Sequence, residues 1–111
     1  PLYVASQLEK KHDLSTMTVG ILGMAFKAGS DDIRSSLSYK LQRVLRFKAR
    51  EVLTTDPYVP ASIDDSLLSL EEVIERSDLL IIATPHGEYR DIVTDKPVAD
   101  VWNLLGDGVL I

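Results

Sequence analysis

The segment Gly23-Met24-Ala25-Phe26-Lys27-Ala28-Gly29-Ser30-Asp31-Asp32-Ile33-Arg34-Ser35-Ser36 holds the densest set of side chains able to do chemistry in this 111-residue chain. Lys27 offers a point charge to a phosphate or a donor to a hydroxyl, with the ring of Phe26 beside it. Arg34 offers a planar fork for a carboxylate or phosphate, next to the acids Asp31 and Asp32. The same residues admit a purely structural reading, in which Asp32 caps the following helix and pairs with Arg34, an exposed pair of small energetic weight. Further on, Asp56 stands before Pro57, where it can accept from a ribose hydroxyl or simply start a turn. His86 follows an apolar run and can donate to a ligand or an interface, or stand solvated in a loop. In the pair Trp102-Asn103, the amide can hydrogen-bond a loop or a base while the indole packs.

Several chemistries are excluded at once. The chain has no cysteine, which removes disulfides, thiolate zinc sites and a thiol nucleophile, and its 2 histidines leave too few imidazoles for a histidine-based metal site. Its 12 Lys and Arg against 17 Asp and Glu give a net charge of −5, which argues against general nucleic-acid binding but leaves room for one basic pocket holding a small anion. A dinucleotide fold would place G-x-G-x-x-G after its first strand, so that a diphosphate meets a helix N-terminus. The sequence has Gly20-Ile21-Leu22-Gly23 instead, then a long loop with Phe26 and Lys27 where the backbone would approach a phosphate. NAD is therefore not expected on this chain by that mechanism. Apolar runs stop well short of the roughly 20 residues a bilayer needs, and residues 1–14 lack the features of a signal peptide, so the chain reads as cytoplasmic. It opens on Pro1 without an initiator Met and closes on an apolar run, as a piece of a longer protein would.

The elements that must position these residues follow from hydrophobic patterning. Residues 2–11 carry a weak helical pattern, read with the rest of 1–16 as a connecting helix or linker, and residues 17–111 as the domain proper. Residues 17–23, 51–56, 78–84, 98–103 and 109–111 are predicted strands, the third being the most continuously apolar. Leu37, Leu41, Val44 and Leu45 recur at helical spacing, Ser69 with Glu72 three residues on reads as a capping box, and residues 87–92 suggest one or two helical turns. Continuously apolar strands separated by helices imply right-handed crossovers. The expected fold is α/β: a small three-layer, Rossmann-like parallel sheet of about five strands, with the loops after Leu22, Asp56, Ala83 and Asn103 on one rim.

On that rim the sequence resembles a family. Gly20-Ile21-Leu22-Gly23-Met24-Ala25-Phe26-Lys27, Ser30-Asp31-Asp32-Ile33-Arg34-Ser35-Ser36, Thr55-Asp56-Pro57 and Thr84-Pro85-His86 together look like the C-terminal domain of the nucleotide-sugar dehydrogenases, which oxidise UDP-glucose, GDP-mannose and UDP-N-acetylhexosamines. The resemblance covers nearly everything after Met17. It implies an enzyme that oxidises the sugar C6 alcohol to a carboxylate with two NAD+, NAD being held by an N-terminal domain and the catalytic cysteine by a central helical region. This chain would then be the nucleotide-sugar half-site, inactive alone, with no catalytic residue and no metal of its own. The resemblance places Lys27, with Phe26 beside it, near the substrate, and Asp31, Asp32 and Arg34 in the loop and in contacts between domains or subunits; by its own chemistry Arg34 is also a substrate-binding candidate, and His86 a loop or interface one. It implies as partners a nucleotide sugar, with UDP favoured, the remaining domains, and a second copy in a homo-oligomer. The family commonly writes F-K-P-N-T-D-D-x-R-E-S-P; here Ala28-Gly29 replace Pro-Asn and Ser35-Ser36-Leu37 replace Glu-Ser-Pro, which loosens the start of the helix. The family's Gly-Ala before the second strand is also missing, Phe47-Lys48-Ala49-Arg50 standing in its place.

Two other classes share parts of the pattern. A free-standing mononucleotide- or CoA-binding module would use the same rim, and would lack an upstream G-x-G-x-x-G domain. A phosphorylatable receiver domain would need its acids at strand ends around Mg2+, whereas Asp31 and Asp32 trail the first strand by a long loop.

Overall fold

Two fully buried apolar runs organise the chain. In a computed structural model, which describes residues 2–102 and 104, the helix α1 (Leu2–Lys11) leads into β1 (Thr18–Leu22), all of whose residues are buried. After α2 (Leu37–Leu45), β2 (Glu51–Thr55) and α3 (Leu70–Arg76) comes the second such run, β3 (Leu79–Ile82). A 3-10 turn (Gly87–Asp91) precedes β4 (Val98–Asp100). The strands lie in the order β2-β1-β3-β4, and every pair is parallel. Parallel neighbours need crossovers, and α2, α3 and the 3-10 segment supply them.

Strand alternation sorts the core into two layers. Val19, Ile21, Leu79 and Ile81 face Ala5 and Leu8 of α1 and Leu41 and Leu45 of α2. Leu22, Leu53, Leu80 and Ile82 face Val73 of α3 and Tyr89 of the 3-10 turn. The architecture is therefore the expected three-layer, Rossmann-like α/β sheet. Gly20 lets α3 approach β1: a Cβ there would lie 2.4 Å from Ser77 Oγ and 2.6 Å from Val73 Cγ1.

The helix starts differ in detail from expectation. Ser36, not Asp32, caps α2, its hydroxyl accepting from the Ser38 N–H at 3.2 Å. Ser69 caps α3 by accepting from the Glu72 N–H at 3.1 Å. The Glu72 carboxylate reaches forward one turn to Arg76 at 2.8 Å, so only one arm of the expected reciprocal box is seen. The described residues form four strands where the sequence predicts about five; residues 109–111 and Asn103 lie outside them. β4 also stops at Asp100 rather than running to 103. After Asp100 the chain turns, and the Trp102 indole N–H donates to the Ala83 carbonyl at 2.8 Å. Among the described residues, no helix is long and apolar enough to cross a membrane.

Candidate functional site

A parallel sheet gathers the loops that follow its strands on one rim, and here a buried acid ties three of them together. Asp56, immediately after β2, has a fully buried side chain. Its Oδ2 accepts from the N–H groups of Met24 at 2.8 Å and Ala25 at 2.9 Å, and its Oδ1 from the Tyr58 N–H at 2.8 Å. His86, after β3, is equally buried, with Nε2 2.8 Å from Asp56 Oδ2. Its Nδ1 accepts from the Gly29 N–H at 2.9 Å. Because Nδ1 accepts, the ring proton sits on Nε2 and is donated to Asp56. The rings of Tyr58 and Tyr89 enclose the imidazole at centroid distances of 4.6 and 5.6 Å.

Gly23 makes the turn from β1 into this arrangement. Its φ of +98° is one that L side chains rarely adopt, and a Cβ would meet the Thr84 Cβ at 2.4 Å. Thr84 in turn donates from Oγ1 to the Ala25 carbonyl at 2.8 Å. The loop closes on itself where the Phe26 N–H meets the Asp32 carbonyl at 2.6 Å. Against this rim lies a cavity of about 310 Å³, with Phe26, Lys27, Ser36, Leu37, Ala83 and Trp102 in its wall. Phe26 and Trp102 are both about half exposed there. Among the described residues, no carboxylate forms an ion pair with Lys27.

The remaining predicted residues are placed differently. Arg34 forks onto Asp32, with Nη2 2.8 Å from Oδ2 and Nε 3.0 Å from Oδ1, and its side chain is 88% exposed. It is not in the cavity wall, and it would reach a ligand only by exchanging Asp32 for the ligand's own anion. Asp31 is exposed on the same loop. His86 is not a solvated loop residue but the buried link between Asp56 and Gly29. Asp56 as the common acceptor, and Trp102 as part of the cavity wall, were not foreseen from sequence. The signals available were the Asp-Pro after β2 and the Thr-Pro-His after β3, each at a strand's carboxyl end.

Electrostatics fit a fixed scaffold rather than a proton-transfer centre. Burial pushes the Asp56 carboxyl up, but hydrogen bonds from His86, Tyr58, Ala25 and Met24 outweigh it and hold the group below the usual carboxylate range. Hydrogen bonds from the Arg34 side chain and backbone bring Asp32 down to about 2. The Tyr58 hydroxyl bonded to Glu88 raises the phenol and lowers that acid. No group of three or more metal-ligating side chains occurs among the described residues. Nor do the residues after β1 fit a dinucleotide diphosphate. The amides of Met24 and Ala25, which such a ligand would need, are engaged by Asp56, and Thr84 fills the space over Gly23. A larger depression, about 600 Å³, lies at the opposite end of the strands between residues 9–15 and Lys48. It is open and charged, and none of the rim residues borders it, so the rim cavity is the candidate site.

These features define a Rossmann-like domain in which an aspartate of the chain engages the amides of the β1 turn, and whose rim cavity is lined by a lysine and two aromatic side chains. Residues 20–107 match the model of the UDP-glucose/GDP-mannose dehydrogenase family, UDP binding domain, and the chain belongs to that family. The UDP-N-acetyl-D-mannosamine dehydrogenase of Pyrococcus horikoshii is 40% identical over 78 residues, 70% of this chain and 18% of that protein. GDP-mannose 6-dehydrogenase of Pseudomonas aeruginosa is 32% identical over an alignment of 114 positions, 84% of this chain and 26% of that protein. The solved structure of UDP-N-acetyl-mannosamine dehydrogenase from S. aureus superposes with a TM-score of 0.76 at 24% identity, over 94% of this chain and 27% of that one, which shows the shared fold. This chain thus spans between 18% and 27% of the length of these relatives.

Proposed function

We propose that this chain is the nucleotide-sugar-holding domain of an NAD-dependent UDP-sugar 6-dehydrogenase. In that enzyme NAD, bound by another domain, accepts hydride as the sugar C6 alcohol is oxidised to a carboxylate. The observation that carries the proposal is the match of residues 20–107 to a UDP-binding domain, and the cavity beside Phe26 and Lys27 supports the rim as its place. Lys27 would meet a phosphate or sugar oxygen, and the rings of Phe26 and Trp102 would cover the ligand's flatter parts. Arg34, Asp31 and Asp32 would hold the loop's outer edge and its contacts with the rest of the enzyme, Arg34 turning to the ligand's anion when one arrives. UDP is preferred over GDP because the family model is a UDP-binding domain, even though one similar protein uses GDP-mannose. The remaining domains of the enzyme and a second copy of it complete the partners, in the cytoplasm.

Calorimetric titration of the chain with UDP, UDP-glucose, GDP and NAD+ tests this. Saturable binding of the uridine nucleotides with no response to NAD+ is the expected result. Binding of NAD+ alone would overturn it, and binding of GDP in preference to UDP would transfer the assignment to a guanosine sugar.

A further inference from the structure

Residues 26–29 are all exposed, so apolar burial does not hold the turn that carries Lys27. Polar contacts must do so: besides the Phe26 N–H bond to the Asp32 carbonyl, they come from the buried pair beneath. On one side of Lys27, Asp56 accepts from the amides of Met24 and Ala25 at 2.8 and 2.9 Å. On the other, His86 Nδ1 accepts from the Gly29 N–H at 2.9 Å while Nε2 binds Asp56 at 2.8 Å. The turn between these anchors closes where the Ser30 N–H meets the Lys27 carbonyl at 3.3 Å. The ammonium is thus presented from a segment fixed at both ends to one Asp56–His86 unit.

We propose that His86 is a positioning residue for nucleotide binding: through Nδ1 it fixes the Gly29 amide, and so the turn that places Lys27 at the cavity. The inference rests on the nucleotide-sugar reading above and assigns that site a residue that does not touch the ligand. A ligand phosphate gains most from a cation already held in place, because ordering a loop on binding opposes affinity. If the Nδ1 contact is lost, the turn loses its anchor at Gly29 and that part of the ordering falls to the ligand.

Two amide substitutions separate the ring's two roles. His86→Asn can put a carboxamide oxygen near the Nδ1 position and keep an acceptor for Gly29. His86→Gln can put its amino group near the Nε2 position and keep the donor to Asp56 while leaving Gly29 without an acceptor. Both lose the ring between Tyr58 and Tyr89, so both should melt earlier. A purely structural role would make affinity follow melting temperature. The positioning role instead weakens UDP binding in His86→Gln by about tenfold or more, with loss of hydrogen-exchange protection at the Gly29 amide, and leaves His86→Asn within about threefold of wild type. His86→Gln that binds UDP like wild type while its Gly29 amide exchanges freely would overturn the proposal. Should both variants fail to fold, 15N NMR of the unaltered chain decides. The Nε2–H tautomer with a Gly29 amide further protected by UDP supports it, and an Nδ1–H tautomer overturns it. A wild-type chain that shows the Nε2–H tautomer and a protected Gly29 amide yet binds no UDP refutes the nucleotide reading, and the positioning role with it.

Discussion

Asp56→Asn keeps the shape of the rim acid and removes its charge. The carboxylate accepts four hydrogen bonds, from the amides of Met24, Ala25 and Tyr58 and from His86 Nε2. A carboxamide has one oxygen. Turned toward Met24, Ala25 and His86, it leaves its amino group facing the Tyr58 N–H, donor against donor. That donor loses its acceptor, at about 1–3 kcal/mol, and the other three bonds fall from charge-assisted to neutral strength, about 1 kcal/mol each at most. Three of the four bonds converge on a single oxygen, so these losses do not add in full, and the expected total is about 3–4 kcal/mol at neutral pH. For a domain of this size that lowers Tm by roughly 10–20 °C.

The pH dependence follows from the direction of the Asp56 shift. Its folded pKa lies below the ordinary value, so its stabilisation is complete above the unfolded value of about 3.9 and is lost as pH falls through the folded one. Urea unfolding of wild type and Asp56→Asn between neutral pH and about pH 2 should show a constant gap down to about pH 4, closing below it. A gap under about 1 kcal/mol at neutral pH, or one that stays open in acid, would refute the role given to Asp56.

Lys27→Ala should weaken UDP binding by about 1.5–3 kcal/mol with unchanged melting, since the exposed ammonium holds no part of the fold; calorimetry beside a thermal melt checks it, and unchanged affinity would remove Lys27 from the site. Gly23→Ala should cost about 3–4 kcal/mol in denaturant unfolding, because it adds left-handed strain to a Cβ that meets Thr84 backbone and side chain, which no rotamer change relieves; a loss under about 1 kcal/mol would show that the turn can move. Ser35 holds a φ of +58° before the Ser36 cap, so Ser35→Gly should raise stability by about 0.5 kcal/mol, the relief of strain exceeding glycine's greater entropy in the unfolded chain; a measured decrease would count against strain there.

The layered sheet was legible in the sequence because its signals are local. The apolar runs of β1 and β3 are uninterrupted, as strands covered on both faces must be, and Pro57 and Pro85 mark where β2 and β3 give way to loops. Ser69 showed where α3 begins. Less legible was anything decided by a partner far along the chain. Nothing near Trp102 indicates that its indole N–H will find the Ala83 carbonyl, and that bond accompanies the turn at the end of β4. At the start of α2 the sequence pointed to Asp32 as the cap, but Asp32 is drawn off by Arg34 and Ser36 caps the helix instead.

His86 is the sharpest case. By its own neighbours it is a histidine in a polar loop, and solvation is the ordinary outcome. It is buried because Asp56, 30 residues earlier, brings a carboxylate to the same strand end, and because Tyr58 and Tyr89 close over the ring. The same meeting bears on the glycine-poor β1 turn, from which the sequence argued against a dinucleotide site. Missing glycines say only that the backbone is crowded. The structure adds that the amides of Met24 and Ala25 already donate to the chain's own carboxylate, and that Lys27, which follows them, lines the cavity.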